Sequence, residues 1–219
     1  RVNAHSPAVL AEEALRLRLP LVHYATDYVF DGAKGSPYLE SDEPAPLNVY
    51  GHSKLAGDRA VISTGGAHII LRTSWVYSMR QGGFVTKVLQ WAREREVLRV
   101  VADQISGPTS ARMLAELTAL LLAGAGTDLF AWLSERAGVY HCAGDGACSR
   151  YAWAQEILQL DPRREEQKVR ELLPANSEEF PTPAARPLVS VLDCGKLERV
   201  FGLRLPPWQT ALKLAMENF

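Results

Sequence analysis

Short, continuously apolar runs alternate along the chain with stretches whose apolar residues recur at helical spacing. Leu21 to Ala25, Ala67 to Arg72 and Val97 to Val101 are largely apolar runs of strand length, and Ala67 to Arg72 reads as a buried strand of a parallel sheet. Ala8, Leu10, Ala11, Ala14, Leu15 and Leu17 predict an amphipathic helix from Pro7 to Arg18. Leu47, Val49, Leu55, Ala56, Ala60 and Val61 predict a second, with that set packed inward. Phe84, Val85, Val88, Leu89, Trp91 and Ala92 predict a third. Further helices are expected over Ala111 to Leu122 behind a Thr109 or Ser110 cap, after the Gly124-Ala125-Gly126-Thr127 break, from Ser149 to Leu160, from Asp193 to Phe201, and from Trp208 to Phe219 behind Pro207. Gly138 to Gly144 reads as a strand and turn. Asp31 to Pro46 is an irregular excursion able to close over a site, and Asp161 to Glu166 a solvated charged connection. The proline-rich stretch Pro181 to Pro187 holds Arg186 on a stiff loop. Alternating strands and helices place the chain in the α/β class, as part of a doubly wound parallel sheet with a smaller α/β lobe.

Composition narrows the function classes. With 219 residues, 47% hydrophobic and 22% charged, the chain can bury one sizeable core or a core plus a small lobe. A formal net charge of -1 gives no footing for a nucleic-acid partner, which needs a basic face. No run approaches the length of a membrane span, and no signal peptide is visible, so a cytoplasmic setting without a membrane partner is expected. Cys142, Cys148 and Cys194 lack zinc-site spacing, and their odd number argues against a disulfide framework. His141 has no partner at metal or triad spacing and reads as a core or strand histidine, so no metal site is expected.

The chemistry centres on Tyr50-Gly51-His52-Ser53-Lys54. On a helix, Tyr50 and Lys54 lie four residues apart on one face. An ammonium near a phenol favours the phenolate, which makes Tyr50 a usable proton donor or acceptor toward an alcohol or ketone. Thr26 ends the first apolar run, and in open α/β sheets chemistry sits beyond the carboxyl ends of the strands. Trp75, at the end of the second run, is suited to covering a flat base or sugar, though plain core packing accounts for it as well. Asp103-Gln104 and Gly107-Pro108-Thr109 form a polar loop after the third run, placed to touch a substrate.

In that order, Thr26, Tyr50 and Lys54 resemble the extended short-chain dehydrogenase/reductases. The blocks Ala25-Thr26-Asp27-Tyr28-Val29-Phe30-Asp31-Gly32, Pro46 to Gly57, Arg72-Thr73-Ser74-Trp75-Val76-Tyr77, Asp103-Gln104, Gly107-Pro108-Thr109 and Ala185-Arg186-Pro187 look like the dTDP-4-dehydrorhamnose reductase family over essentially the whole chain. Three positions depart from that family's usual residues: Ala25 for Ser, Asp58 for Glu and Gly83 for Asn. The resemblance implies a Rossmann-type domain over residues 1–104 and a mainly substrate-binding lobe over 105–219, interleaved with it. It implies NADPH as cofactor, with NADH as a second possibility, and reduction of the 4-keto group of a dTDP-linked 6-deoxyhexose. Thr26, Tyr50 and Lys54 would be catalytic, with Tyr50, Lys54 and Asn3 at the cofactor. Thr26, Asp27, Trp75, Gln104 and Arg186 would face the sugar nucleotide, and Arg186 could pair with its diphosphate. Asn3 is equally readable as a helix-start residue. The resemblance also leaves room for a homodimer. A nucleotide-sugar epimerase or dehydratase shares the Tyr and Lys pair, and the β subunit of methionine adenosyltransferase looks similar along its length without catalysing this reaction. No Gly-x-Gly-x-x-Gly turn occurs. The expectation is a piece of a longer protein lacking roughly 60 to 80 residues of the first βαβαβ half. Expressed alone, such a piece would neither bind nor oxidise NADPH and would tend to aggregate.

Overall fold

The computed structural model describes residues 2–80 and 82–217. Helix α1 (His5–Arg16) stops before Arg18, because the Leu17 and Arg18 N–H groups turn back onto the carbonyls of Glu13 and Leu15 and Arg18 takes a positive φ of 54°. Strand β1 (Leu21–Thr26), helix α2 (Val49–Ser63) and strand β2 (His68–Thr73) follow. Beyond them lie β3 (Val76–Tyr77), α3 (Phe84–Glu94), β4 (Val97–Val101), β5 (Ile105–Ser106), β6 (Thr109–Ser110), α4 (Ala111–Ala123) and α5 (Leu129–Glu135). The remaining elements are β7 (Gly138–His141), β8 (Cys148–Ser149), α6 (Arg150–Gln159), β9 (Glu171–Ala175), α7 (Gly195–Phe201) and α8 (Trp208–Glu217).

The central sheet is parallel, in the order β1-β2-β7, with Thr26 opposite Thr73 and Arg72 opposite His141. All six residues of β2 are buried, which is why Ile69, Ile70 and Leu71 follow one another without alternation, between the buried polar residues His68, Arg72 and Thr73. Its side chains still divide between two faces. Ile70 packs with Ala11, Ala25 and Val61 under α1 and α2, while Ile69 and Leu71 meet Leu114, Leu117, Leu121 and Leu133 of α4 and α5. Each such fully buried aliphatic side chain contributes about 1.5–3 kcal/mol. Helices therefore cover both faces of a parallel sheet, the α/β doubly wound arrangement. A second core surrounds Trp153, where α3, α6 and α8 enclose β4 and its parallel partner β9.

Several local expectations are corrected. On α2 the buried positions are Gly51, Leu55, Gly57, Asp58 and Val61, while Leu47, Val49 and Ala56 face outward. Glycine rather than an apolar side chain fills that face, since a Cβ on Gly57 would stand 2.2 Å from the Asn3 carbonyl oxygen of the segment packed across it. Ser110 sits at the N-cap of α4 without a side-chain cap bond, and Thr109 Oγ1 instead accepts from the Gly144 N–H at 3.1 Å. Asp161 is not solvated: it is 5% exposed and held by Arg93 and Gln167, each at 2.9 Å. Strand β9 had no counterpart in the apolar pattern because it carries Pro174, which this short strand, paired only with β4 among the described residues, tolerates. The expected end of the last helix at Phe219 lies outside the described residues.

Candidate active site

The carboxyl ends of β1 and β2 open onto one cavity of about 400 Å³, and the first half of α2 forms its rim. Thr26 leaves β1 in extended conformation and caps a single 3-10 turn, accepting from the Tyr28 N–H at 3.2 Å. Its hydroxyl donates to Asp27 Oδ1 at 3.2 Å. Asp27 is 2% exposed and also accepts from Ser190 at 2.5 Å and from Ser106 at 3.4 Å. Burial pushes its carboxyl up to about 6, against the opposing pull of the Ser190 and Thr26 hydrogen bonds.

Helix α2 starts at Asn48, whose side chain accepts from the Gly51 N–H at 2.8 Å, a cap bond that sets where the first turn begins. The same amide donates to the Ala185 carbonyl at 2.7 Å and so ties the loop carrying Arg186 to the start of α2. The glycine of the Tyr-Gly-x-x-Lys stretch has a steric reason: a Cβ there would lie 2.3 Å from the Tyr28 carbonyl oxygen. That close approach brings the rings of Tyr28 and Tyr50 edge to face, 6.0 Å apart. One turn on, Lys54 Nζ donates to the Tyr24 carbonyl at 2.5 Å, and burial lowers the lysine pKa. One turn further, Asp58, fully buried, accepts from Arg72 Nε at 3.1 Å and lies 3.5 Å from His23 Nε2. This buried ion pair locks α2 to β2 and fixes the rotation of the helix that presents Tyr50 and Lys54.

Trp75 takes φ +39° at the end of β2, a conformation that costs a non-glycine residue of order 1 kcal/mol or more. Its ring stacks 5.7 Å from Trp153, so it is at once core packing and cavity wall. Thr26, Asp27, Tyr50, Lys54 and Trp75 thus share one cavity, with Ala25 also in its wall. Gln104 and Arg186 lie instead in the wall of a second cavity of about 480 Å³. Asn3 lines neither; its amide donates to Ser53 at 3.1 Å and buttresses α1 against α2. His141 is fully buried in β7, its ring bonded to the Tyr38 carbonyl at 3.0 Å and its pKa lowered to about 3 by burial. The three cysteines are free. Among the described residues no group of acidic, histidine or cysteine side chains could hold a metal ion, and no helix is long and apolar enough to cross a membrane.

One residue of the site was not anticipated. Arg150 lines both cavities, with its guanidinium carbon 3.7 Å above the Trp75 ring. The signal was present in the sequence, since Ser149 predicts a helix start and a cation in a first turn opposes the helix dipole.

The cavity suits the nicotinamide end of a dinucleotide. It offers a phenol, an ammonium and hydroxyls, and the buried Thr73 Oγ1 in its wall has no hydrogen-bond partner among the described residues. A glycine turn for the pyrophosphate is not among the described residues. A family model described as the RmlD substrate binding domain matches residues 1–219. A dTDP-4-dehydrorhamnose reductase of Sinorhizobium fredii is 42% identical over 214 residues, covering 97% of this chain and 70% of the relative. One from Burkholderia thailandensis is 40% identical, covering 99% and 74%. The dTDP-4-dehydrorhamnose reductase of Bacillus anthracis, solved in complex with NADP, superposes with a TM-score of 0.85 at 33% identity, over 99% of this chain and 72% of that one. With a family model matched over residues 1–219 and reductases 42% and 40% identical over 97% and 99% of its length, the chain belongs to the dTDP-4-dehydrorhamnose reductase family.

Proposed function

We propose that the protein reduces the 4-keto group of dTDP-4-dehydro-6-deoxy-L-mannose with NADPH, giving dTDP-L-rhamnose. The observation that carries this reading is the convergence of Tyr50, Lys54 and Thr26 on the cavity at the ends of β1 and β2 in a chain of this family. The nicotinamide supplies the hydride. Tyr50 stands at the cavity rim, 48% exposed, and donates the proton to the oxygen that becomes the new hydroxyl. Lys54 stabilises the developing phenolate and would hold the ribose next to the nicotinamide; its bond to the Tyr24 carbonyl fixes the ammonium at that spot. Thr26 hydrogen-bonds the same substrate oxygen by turning its hydroxyl away from Asp27. Trp75 covers the sugar, Asp27 meets its hydroxyls, and Gln104 and Arg186 hold the nucleotide part in the adjoining cavity. Asn3 acts on the cofactor side by fixing Ser53 one residue before Lys54.

Residues 1–104 would carry the cofactor chemistry and 105–219 the substrate lobe; the pairing of β7 with β2 supports the two being interleaved. The free cysteines fit a reducing, cytoplasmic compartment. The relatives named as reductases favour this reading over the epimerase, dehydratase and regulatory-subunit alternatives. Loss of NADPH absorbance on adding the dTDP-linked keto sugar, with dTDP-L-rhamnose as product, is the test. No NADPH consumption with that substrate by a folded full-length protein that contains this chain would overturn the assignment.

A further inference from the structure

Burial, the helix dipole and a like charge all disfavour a cation at Arg150, and three aromatic rings offset part of that. It is the first residue of α6, where the helix dipole is positive. It is partly buried among the rings of Trp75, Phe84 and Trp153, at 3.7, 5.0 and 5.7 Å from its guanidinium carbon. It is also repelled by Arg186. Burial and that repulsion lower its pKa to about 10, and Asp27 and Tyr28 offset this only in part through their fields. Among the described residues no carboxylate or carbonyl bonds the guanidinium, whose planar donor fork suits two anionic oxygens at once.

The surroundings say what the fork is aimed at. The second cavity, about 480 Å³, is walled by Lys87, Arg95, Arg99, Arg150 and Arg186, with no acidic residue in its lining among the described residues, and by the aromatic rings of Phe84, Trp91 and Phe180. Arg99 is already paired with Glu179. Of the basic residues there, Arg150 is the one that also lines the chamber of Tyr50 and Thr26. An extended ligand with an uncharged reacting end and an aromatic far end would pass this residue at its middle.

We propose that Arg150 grips the diphosphate of the sugar nucleotide, placing the sugar in the Tyr50 chamber and the base in the basic, aromatic-lined chamber. This rests on the functional reading above for the identity of the sugar, but not for the recognition of the phosphates. The Trp75, Phe84 and Trp153 rings hold the fork rigid before the ligand arrives, so little side-chain entropy is lost on binding. Arg150 is a binding residue that sets the register of the sugar against Tyr50.

Calorimetric titration of the protein and its Arg150→Gln variant with inorganic pyrophosphate, dTDP and thymidine is the test. The expected result is a loss of about 10- to 100-fold in affinity for pyrophosphate and dTDP, with thymidine unchanged. In turnover, KM for the sugar nucleotide should rise far more than kcat falls. Unchanged dTDP affinity, or an equal loss for thymidine and dTDP, would overturn the proposal. If Arg150→Gln does not fold, Arg150→Lys, which keeps the charge without the fork, should retain part of the dTDP affinity and Arg150→Met lose it, and equal behaviour of those two would also overturn it. Wild-type protein that binds neither pyrophosphate nor dTDP would do the same. Full-length protein containing this chain that binds both yet leaves the dTDP-linked keto sugar unreduced would sink the functional reading while the diphosphate site stands.

Discussion

Replacing Asp27 by Asn should remove a pH dependence of stability that the wild-type protein carries. Asp27 is 2% exposed, and its carboxyl is raised from an ordinary 3.8 to about 6, chiefly by burial. The difference, 6 minus 3.8, corresponds at 1.36 kcal/mol per pH unit to about 3 kcal/mol. Because the folded state holds the proton more tightly than the unfolded chain, this stabilisation is fully present below about pH 3.8 and is lost as pH rises through about 6. Asparagine has the same shape and no proton to lose. The hydroxyls of Ser190, Ser106 and Thr26 can each rotate to donate or accept, so its amide can be satisfied in their midst. Urea denaturation of both proteins across the range from about pH 4 to pH 7.5 isolates the effect, since titrations common to the two cancel in the difference. The variant should gain on the wild type by up to about 3 kcal/mol over that range. A difference constant to within about 0.5 kcal/mol would refute the reasoning and mean that Asp27 ionises in the native protein without penalty.

In full-length protein containing this chain, Tyr50→Phe keeps the ring against Tyr28 but removes the hydroxyl, so turnover should fall by about 10²-fold or more with sugar-nucleotide binding retained; near-normal kcat would remove Tyr50 from the proton step. Trp75→Ala should raise KM for the sugar nucleotide several-fold and also cost about 1–3 kcal/mol through the lost contact with Trp153, and a stability loss with KM unchanged would leave Trp75 as core packing alone. Gly51→Ala forces a Cβ to within 2.3 Å of the Tyr28 carbonyl oxygen, so a thermal melt should show a loss of about 1–3 kcal/mol and kcat should drop as the Tyr50 turn shifts. A melt and a kcat both equal to wild type would show that the turn after β1 yields without strain.

Much of the central sheet was legible because its strands carry apolar runs in their own sequence, which β9 does not. Leu21 to Ala25, Ala67 to Arg72 and Val97 to Val101 fall on β1, β2 and β4, and His141 falls in β7 as a core histidine. Helix faces were less legible where close backbone packing replaces side-chain packing. Gly51 and Gly57 carry the buried face of α2, and no hydrophobic periodicity marks a glycine. Asp58 and Asp161 show the same limit for charge. Asp161 reads as surface until Arg93, distant in sequence, is seen to bury it, and no local pattern announces the pairing of Asp58 with Arg72.

For the site, local spacing placed Tyr50 and Lys54 on one helix face, and the strand-end rule placed Thr26 beside them. Local spacing could not divide the remaining residues between two chambers, because Gln104 and Arg186 come from loops whose separation from Trp75 is fixed only by tertiary packing. The Asn48 bond to the Ala185 carbonyl shows how that packing works. The residue that caps α2 also anchors the loop carrying Arg186, so the start of α2 positions Tyr50, the proposed proton donor, and one wall of the second cavity together. A disturbance at Asn48 should therefore reach both kcat, through the first turn of α2, and KM, through the Arg186 loop, whereas Tyr50→Phe touches kcat and Arg150→Gln touches KM. That two-sided response separates a residue that couples the chambers from one that serves either alone.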